Sequence, residues 1–287
     1  MASLPPESAS SGIDVCGPEC GERLIPDLSK PSVARMYDHL LGGTDNYQVD
    51  RDACEELLQL APSTRDLALV NRGFLVRAVR YLARECGVRR FLDHGSGLPT
   101  RPNVHQVAQD VDPLSEVVYI DNDPVVHAHG RMILAEDPTT TAVLQADMRD
   151  TDKIFNSPEV RHLLRDNQPV AALFVSVLHC IPNRDDPWDL VRRVAGRLPA
   201  GSYVVISQLA SDDAGLRAQI TQFMAEITGG EWGEVRSIGD VNRFFEGLEL
   251  VGAAKPVEVS RWQPDSDLAP RQRTDEWIEY GGVGKIR

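Results

Sequence analysis

The sequence predicts an α/β fold, an open and mostly parallel sheet with helices on both faces. Five apolar runs of strand length recur along the chain: RRFLD (89–93), VVYID (117–121), TAVLQAD (141–147), VAALFVSV (170–177) and SYVVISQ (202–208). Segments of helical periodicity separate them, the alternation expected when parallel strands are joined by crossovers and buried on both faces. The glycine and carboxylate clusters fall just past the carboxyl ends of these runs, where an open parallel sheet binds its ligands.

Each element has a local reason. Residues 1–28 are rich in Ser, Pro and Gly and are expected to form a mobile arm. Ser32 is the expected cap of a short helix, SVARMYDHLLGG, with apolar positions 33, 36, 37 and 40 and the Gly42–Gly43 pair as its stop. TDNYQVD reads as a polar loop, and VNRGFLVRAVRYLAREC as a helix whose buried face carries Phe74, Leu75, Ala78, Val79, Leu82 and Cys86. Further helices are PNVHQVAQDV, PVVHAHGRMILAE, PEVRHLLRD and PWDLVRRVAGRL, with Pro124 and Pro187 each at a first helical position behind an aspartate. Leu216, Ile220, Phe223, Met224 and Ile227 mark another amphipathic helix, and DVNRFFEG a short one ended by Gly247. The tail, LELVGAAKPVEVSRW and EWIEYGGVGKI, is strand-like without an intervening helix and is expected to pair as an antiparallel edge.

Composition narrows the class. At 287 residues and 42% hydrophobic content the chain supports a substantial core. No apolar run reaches membrane-spanning length and no secretory pattern opens the sequence, so a cytoplasmic protein is expected. The 5 cysteines, at positions 16, 20, 54, 86 and 180, are odd in number and scattered, which suits a reducing compartment. Cys16 and Cys20 have no second pair at ligand spacing, so no metal is expected. A formal charge of −13 without a compact basic block disfavours nucleic acid and favours a small-molecule partner. Oligomeric state is not legible.

The stretch FLDHGSGLPT is the strongest local signal: strand residues run into Asp93 and a turn with Gly95, Ser96 and Gly97. Asp121 ends the next strand, placed to accept hydrogen bonds from ribose hydroxyls, and Asp147 ends the third. Adenosine is common to NAD and S-adenosylmethionine, so Asp121 does not separate them. A pyrophosphate would be repelled by Asp93, whereas a sulfonium and an ammonium would be attracted. Thr100 also stands where the dinucleotide pattern has its third glycine. These points favour S-adenosylmethionine, with an NAD(P)-dependent oxidoreductase as the alternative.

The segments PSVARMYDHLLGGTDNY, NRGFLVRAVRYLA, FLDHGSGLPT, VVYIDNDPVVHAHGR, QADMRD and LPAGSYVVISQ resemble a class I S-adenosylmethionine-dependent methyltransferase. More narrowly, they resemble the actinobacterial S-adenosyl methyltransferase family, first described as a domain of unknown function. The resemblance implies a doubly wound Rossmann-like sheet of seven strands with the last antiparallel, in a single domain over 29–287. Within it, 29–70 would form a helical lid and 71–287 the core. It also implies roles: Asp93, Gly95 and Gly97, with Ser96, against the methionine portion; Asp121 on the ribose; Asn122 beside the adenine; Asp147 and Met148 at the adenine edge and face; Ser176 at the fourth strand end. His94 departs from the small or apolar residue usual there and is expected to alter the pocket's charge.

Tyr37 and the Gly42–Gly43 pair are lid candidates, Tyr37 alternatively a core residue. Arg72 is a candidate partner for the cofactor carboxylate, alternatively an exposed helix arginine. Methyl transfer from a sulfonium asks chiefly for alignment and exclusion of water, and for a base only where the acceptor must lose a proton. His179 is the first candidate base, followed by Asp45 and Tyr47. His105, His127, His129 and His162 show no partner in the sequence, and Ser207 and Ser211 lack a nucleophilic arrangement. A non-catalytic protein that keeps S-adenosylmethionine as a sensor ligand is a further alternative.

Overall fold

The computed structural model describes residues 27–133, 138–265, 272 and 276–287. In chain order the elements begin with α1 (Val33–Leu40), α2 (Gln48–Leu60), α3 (Thr64–Glu85), β1 (Arg90–His94), α4 (Val104–Gln109), β2 (Glu116–Asp121) and α5 (Pro124–Ile133). Next are β3 (Thr141–Gln145), α6 (Thr151–Asn156), α7 (Pro158–Leu163), β4 (Ala171–Val175), α8 (Pro187–Ala195), β5 (Tyr203–Ala210) and α9 (Ala214–Ile227). The chain ends with α10 (Ile238–Asn242), β6 (Glu249–Val251), β7 (Val257–Glu258) and β8 (Ile278–Lys285).

The strands form one sheet in the order β3-β2-β1-β4-β5-β8-β6, with the two-residue β7 pairing β8 next to β6. β1 to β5 are mutually parallel, and β8 runs antiparallel to β5 and to β6. The expected antiparallel tail is therefore present, and β7 is an addition to the seven strands anticipated. Strand order reverses between β1 and β4, which opens a crevice at their carboxyl ends.

Period-two alternation assigns the core to both faces. Phe91, Val117, Leu173 and Val205 pack with α3 and α4, whereas Leu92, Val118, Phe174 and Ile206 pack with α6, α7 and α8. A third cluster joins α1, α2, the start of α3 and α9 to Leu209 of β5 and to Trp277. That cluster holds the helical extension over the strand ends.

Several local expectations shift. TDNYQVD is not all loop: α2 begins at Gln48, its amino end closed by a reciprocal bond in which the Tyr47 amide donates to Asp50 Oδ2 at 2.8 Å. α6 was not anticipated, and β3 stops at Gln145, leaving Asp147 in the turn beyond it. α3 starts at Thr64, so the boundary expected at residue 70 falls inside a helix. Ser32 does not cap α1; its hydroxyl is engaged elsewhere. Asp186 does cap α8, accepting from the Asp189 amide at 3.0 Å, with Pro187 at its first turn. The expected arm and both Cys16 and Cys20 lie outside the described residues.

Candidate functional site

The turn after β1 is held by its own strand neighbours. The amides of Gly95 and Ser96 donate to the Ile120 carbonyl at 2.8 and 3.1 Å, and the Gly97 amide donates to Asp121 Oδ2 at 2.9 Å. Gly95 has φ +68°, and a Cβ there would come within 2.2 Å of Val177 Cγ2, so only glycine fits between the turn and the β4 loop. No amide of these three is left to cradle a phosphate, which removes the physical basis for a pyrophosphate at this turn.

Asp121 also accepts from the Asp123 amide at 3.0 Å through Oδ1, so each carboxylate oxygen keeps capacity for one more donor, as two ribose hydroxyls require. Burial pushes its carboxyl up to about 6 against the pull of the Asp123 and Gly97 amides. Asp93 is buried, and desolvation raises its carboxyl to about 7, with Arg72 lowering it and Asp121 raising it further. Asp93 lines a small recess that shares Arg72, Ser96 and Gly97 with the main cavity. The two carboxylates thus lie close enough for Asp121 to raise the Asp93 carboxyl, one on the recess and one on the main cavity that adjoins it.

The main cavity, about 730 Å³, is large enough for a nucleoside cofactor together with an acceptor. Its walls include Tyr37, Arg72, Gly95, Ser96, Gly97, Asp121, Asn122, Asp147, Met148, Ser176 and His179, so most of the sequence-predicted residues converge on it. Arg72 donates to the Thr100 and Pro102 carbonyls while its Nε is buried without a partner. Burial alone would raise the Asp147 carboxyl, but Arg149 hydrogen bonds and charge hold it below the usual range; Arg149 bridges on to Asp185 at 2.9 Å.

Four predicted residues lie off that wall: Asp93, which lines the adjoining recess, and Asp45, Tyr47 and Gly43. Asp45 sits 3.5 Å from His129 of α5, and Tyr47 is exposed at the start of α2, with the Arg35 guanidinium over its ring. Gly43 is a glycine for Asp38: a side chain there would overlap the Asp38 carboxylate. His94, expected to change the pocket's charge, instead stacks on Phe174 with ring centroids 4.6 Å apart, and burial pushes it down to about 3, so it stays neutral and outside the cavity wall. Two further histidines have neighbours: His105 Nδ1 lies 2.8 Å from the Tyr119 hydroxyl, and His162 3.7 Å from Glu116.

The N-terminal helices are latched to the strand ends. Ser32 Oγ donates to Asp123 Oδ2 at 2.9 Å, and Asp50, fully buried, accepts from the Ser32 amide at 3.0 Å and from Arg35 Nε at 2.8 Å. Tyr37 lies on the cavity wall and ties α1 to α3: its hydroxyl donates to the Ala68 carbonyl and accepts from Asn71, whose carbonyl oxygen accepts from Ser207 Oγ at 2.6 Å.

Sequence reasoning missed the far end of the cavity. Glu279 and Trp277 on or just before β8, and Trp232 after α9, line it with His179. Ser176, in a left-handed conformation at φ +54°, donates its hydroxyl to Glu279 Oε1 at 2.5 Å. The Trp232 ring lies 4.5 Å from the His179 imidazole, centroid to centroid. The signal was the alternation in EWIEYGG, which puts Trp277 and Glu279 on one face of a strand with no charged partner on a facing run.

A doubly wound sheet in the order 3-2-1-4-5-7-6, counting β8 as the seventh, with carboxylates at the ends of its first three strands, defines a class I methyltransferase. The sequence signature of the S-adenosyl methyltransferase family matches residues 21–287, and the chain belongs to that family. Its fold is similar to that of a DUF574 family protein from Streptomyces avermitilis, with 36% identity, TM-score 0.81, and 91% of this chain and 99% of that chain covered. It is also similar to a candidate methyltransferase from Thermobifida fusca, with 40% identity, TM-score 0.79, and 91% and 97% covered. No curated protein matches it. The methyl donor is S-adenosylmethionine.

Proposed function

We propose that this methyltransferase acts on a small-molecule acceptor held between the lid and the β4–β5–β8 strand ends. The observation that carries the reading is the continuity of one cavity from Asp121 and the glycine turn to Ser176, Glu279 and the two indoles, beneath an apolar roof of Met36, Leu40 and Leu57. A formal charge of −13 also argues against a phosphate backbone as substrate.

In this reading Asp121 holds the ribose hydroxyls, Asn122, Asp147 and Met148 border the adenine, and Asp93 and Arg72 face the amino-acid end. S-adenosylmethionine supplies an electrophilic methyl on a sulfonium whose leaving group departs neutral. The chain contributes alignment and dryness: the Asp50 anchor and the Ser32 latch keep α1 over the crevice, and Tyr37 ties that helix to α3. His179 is held neutral, since burial pushes its imidazole down to about 3.

Calorimetry with S-adenosylmethionine and with NAD tests the donor, the expected outcome being binding of the former alone. Formation of S-adenosylhomocysteine across a panel of small phenols, alcohols and amines tests the acceptor class. Binding of the donor with transfer only to a macromolecule would overturn the small-molecule reading, and binding with no transfer to any acceptor would favour the sensor alternative.

A further inference from the structure

Glu279 stands out among the buried charged residues. It is 1% exposed on a central strand, lines the cavity, and has one oxygen engaged by Ser176 and the other, Oε2, buried without a partner. Trp232 and Trp277 line the same end, and each leaves its indole N–H buried and unpartnered. A buried acceptor and two buried donors without partners are costly unless a ligand satisfies them. The strand order sets what lies opposite: with adenosine over β2 and β3, the reactive end of the donor falls over β1 and β4, where Ser176 presents Glu279.

We propose that Glu279 Oε2 receives the acceptor's proton, and that the acceptor is a hydroxyl group on a flat, apolar body whose other oxygens accept from the indoles. The proposal rests on the methyltransferase reading above. As the oxygen–methyl bond forms, the sulfur–methyl bond breaks with its electron pair staying on sulfur, and the hydroxyl proton passes to Oε2. His179 is the weaker base, its imidazole pushed down to about 3, whereas burial pushes the Glu279 carboxyl up to about 8 against the Ser176 hydrogen bond. On the same cavity α1 presents Tyr37, whose hydroxyl feels the Glu279 charge, α3 presents Arg72, and the segment after β4 presents His179 and Cys180, while the β5 residue opposite Glu279 is the uncharged Leu209. A carboxyl so placed holds its proton near neutral pH and releases it when a positive sulfur enters the cavity.

Proton release on binding tests this without knowledge of the acceptor. S-adenosylmethionine and S-adenosylhomocysteine share the ribose and the ammonium, so protons from Asp93 and Asp121 are common to both, and only the sulfur charge differs. Calorimetry in buffers of different ionisation heat should find more protons released by S-adenosylmethionine than by S-adenosylhomocysteine at about pH 7. Glu279→Gln should abolish the excess while retaining S-adenosylhomocysteine affinity. An excess that survives in Glu279→Gln, or is missing from the wild type, overturns the proposal. Should Glu279→Gln not fold, Ser176→Ala provides the second reading: loss of the donor should move the pH of maximal excess upward, and an unmoved maximum overturns the proposal. Failure to bind S-adenosylmethionine at all would instead strike the methyltransferase reading. With any phenol or alcohol that the wild type methylates, Glu279→Gln should lower kcat roughly a hundredfold with little change in KM. Methylation confined to thiols or carbon would remove the hydroxyl assignment.

Discussion

At the glycine turn the amides of Gly95, Ser96 and Gly97 all find acceptors inside the protein, whereas at the far end of the same cavity Glu279, Trp232 and Trp277 each keep a buried polar atom with none. The backbone of the first region is satisfied before its ligand arrives. Its Asp121 offers remaining lone pairs from a position the backbone already fixes, which is preorganisation in the ordinary sense. The second region is incomplete, and each unsatisfied group there costs about 1–3 kcal/mol that a matching ligand can recover. If the acceptor binds as proposed, selectivity resides at the second region, because a mismatched acceptor would leave those groups unpaired.

Removing the Asp50 anchor of the N-terminal helices is the strongest way to break this contrast. Asp50→Ala leaves Arg35 buried without its partner and strips the Ser32 and Tyr47 amides of their acceptor. The expected loss is roughly 3–5 kcal/mol of unfolding free energy in a denaturant titration, as for other broken buried ion pairs. An unchanged midpoint would mean that α1 and α2 are not anchored there.

A smaller effect isolates the first region. Asp121→Ala should weaken both S-adenosylmethionine and S-adenosylhomocysteine by at least about 1 kcal/mol in calorimetry, the scale of lost charge-assisted hydrogen bonds. Equal affinity in a folded variant would take Asp121 off the ribose.

The smallest effect is read in pH and divides the two ends. Asp93 and Glu279 have carboxyls raised to about 7 and about 8, above their unfolded values, so the folded state binds more protons than the unfolded one. Their stabilisation is present at low pH and is lost as pH rises through those values. His94 and His179, pushed down to about 3 from 6.5, act oppositely: their stabilisation is present above 6.5 and is lost as pH falls. The ligand-free Tm should therefore fall as pH rises from about 6.5 to about 8. Glu279→Gln and Asp93→Asn should each remove part of that slope, and a flat Tm in the wild type would contradict the burial of both carboxyls.

Local pattern made much of the fold legible. The Asp186–Pro187 start of α8, the Asp123 acceptor of the Val125 amide at 2.8 Å and the antiparallel tail follow from turn chemistry and alternation. α2 was hidden because its buried face includes Asp50, a charged residue that reads as solvent-facing until Arg35 is known to meet it. Ser32 was read as a cap because a serine before a helix ordinarily is one, whereas here Asp123, 91 residues away, takes its hydroxyl. The glycine turn, Asp121 and Asp147 were legible because each sits at or just past a strand end, in its own turn. Glu279 was not, because its meeting with Ser176 spans 103 residues and depends on β8 inserting antiparallel to β5.

From its amino-acid order alone this chain determined a doubly wound sheet, the glycine turn and the carboxylates beside it, because those depend on hydrophobic period and on side chains acting on nearby backbone. The anchors of α1 and α2, the raised carboxyls and the unsatisfied inner end were decided only by tertiary structure. Desolvation and the lack of a hydrogen-bond partner belong to the packed surroundings of a group, and no local run of residues encodes them.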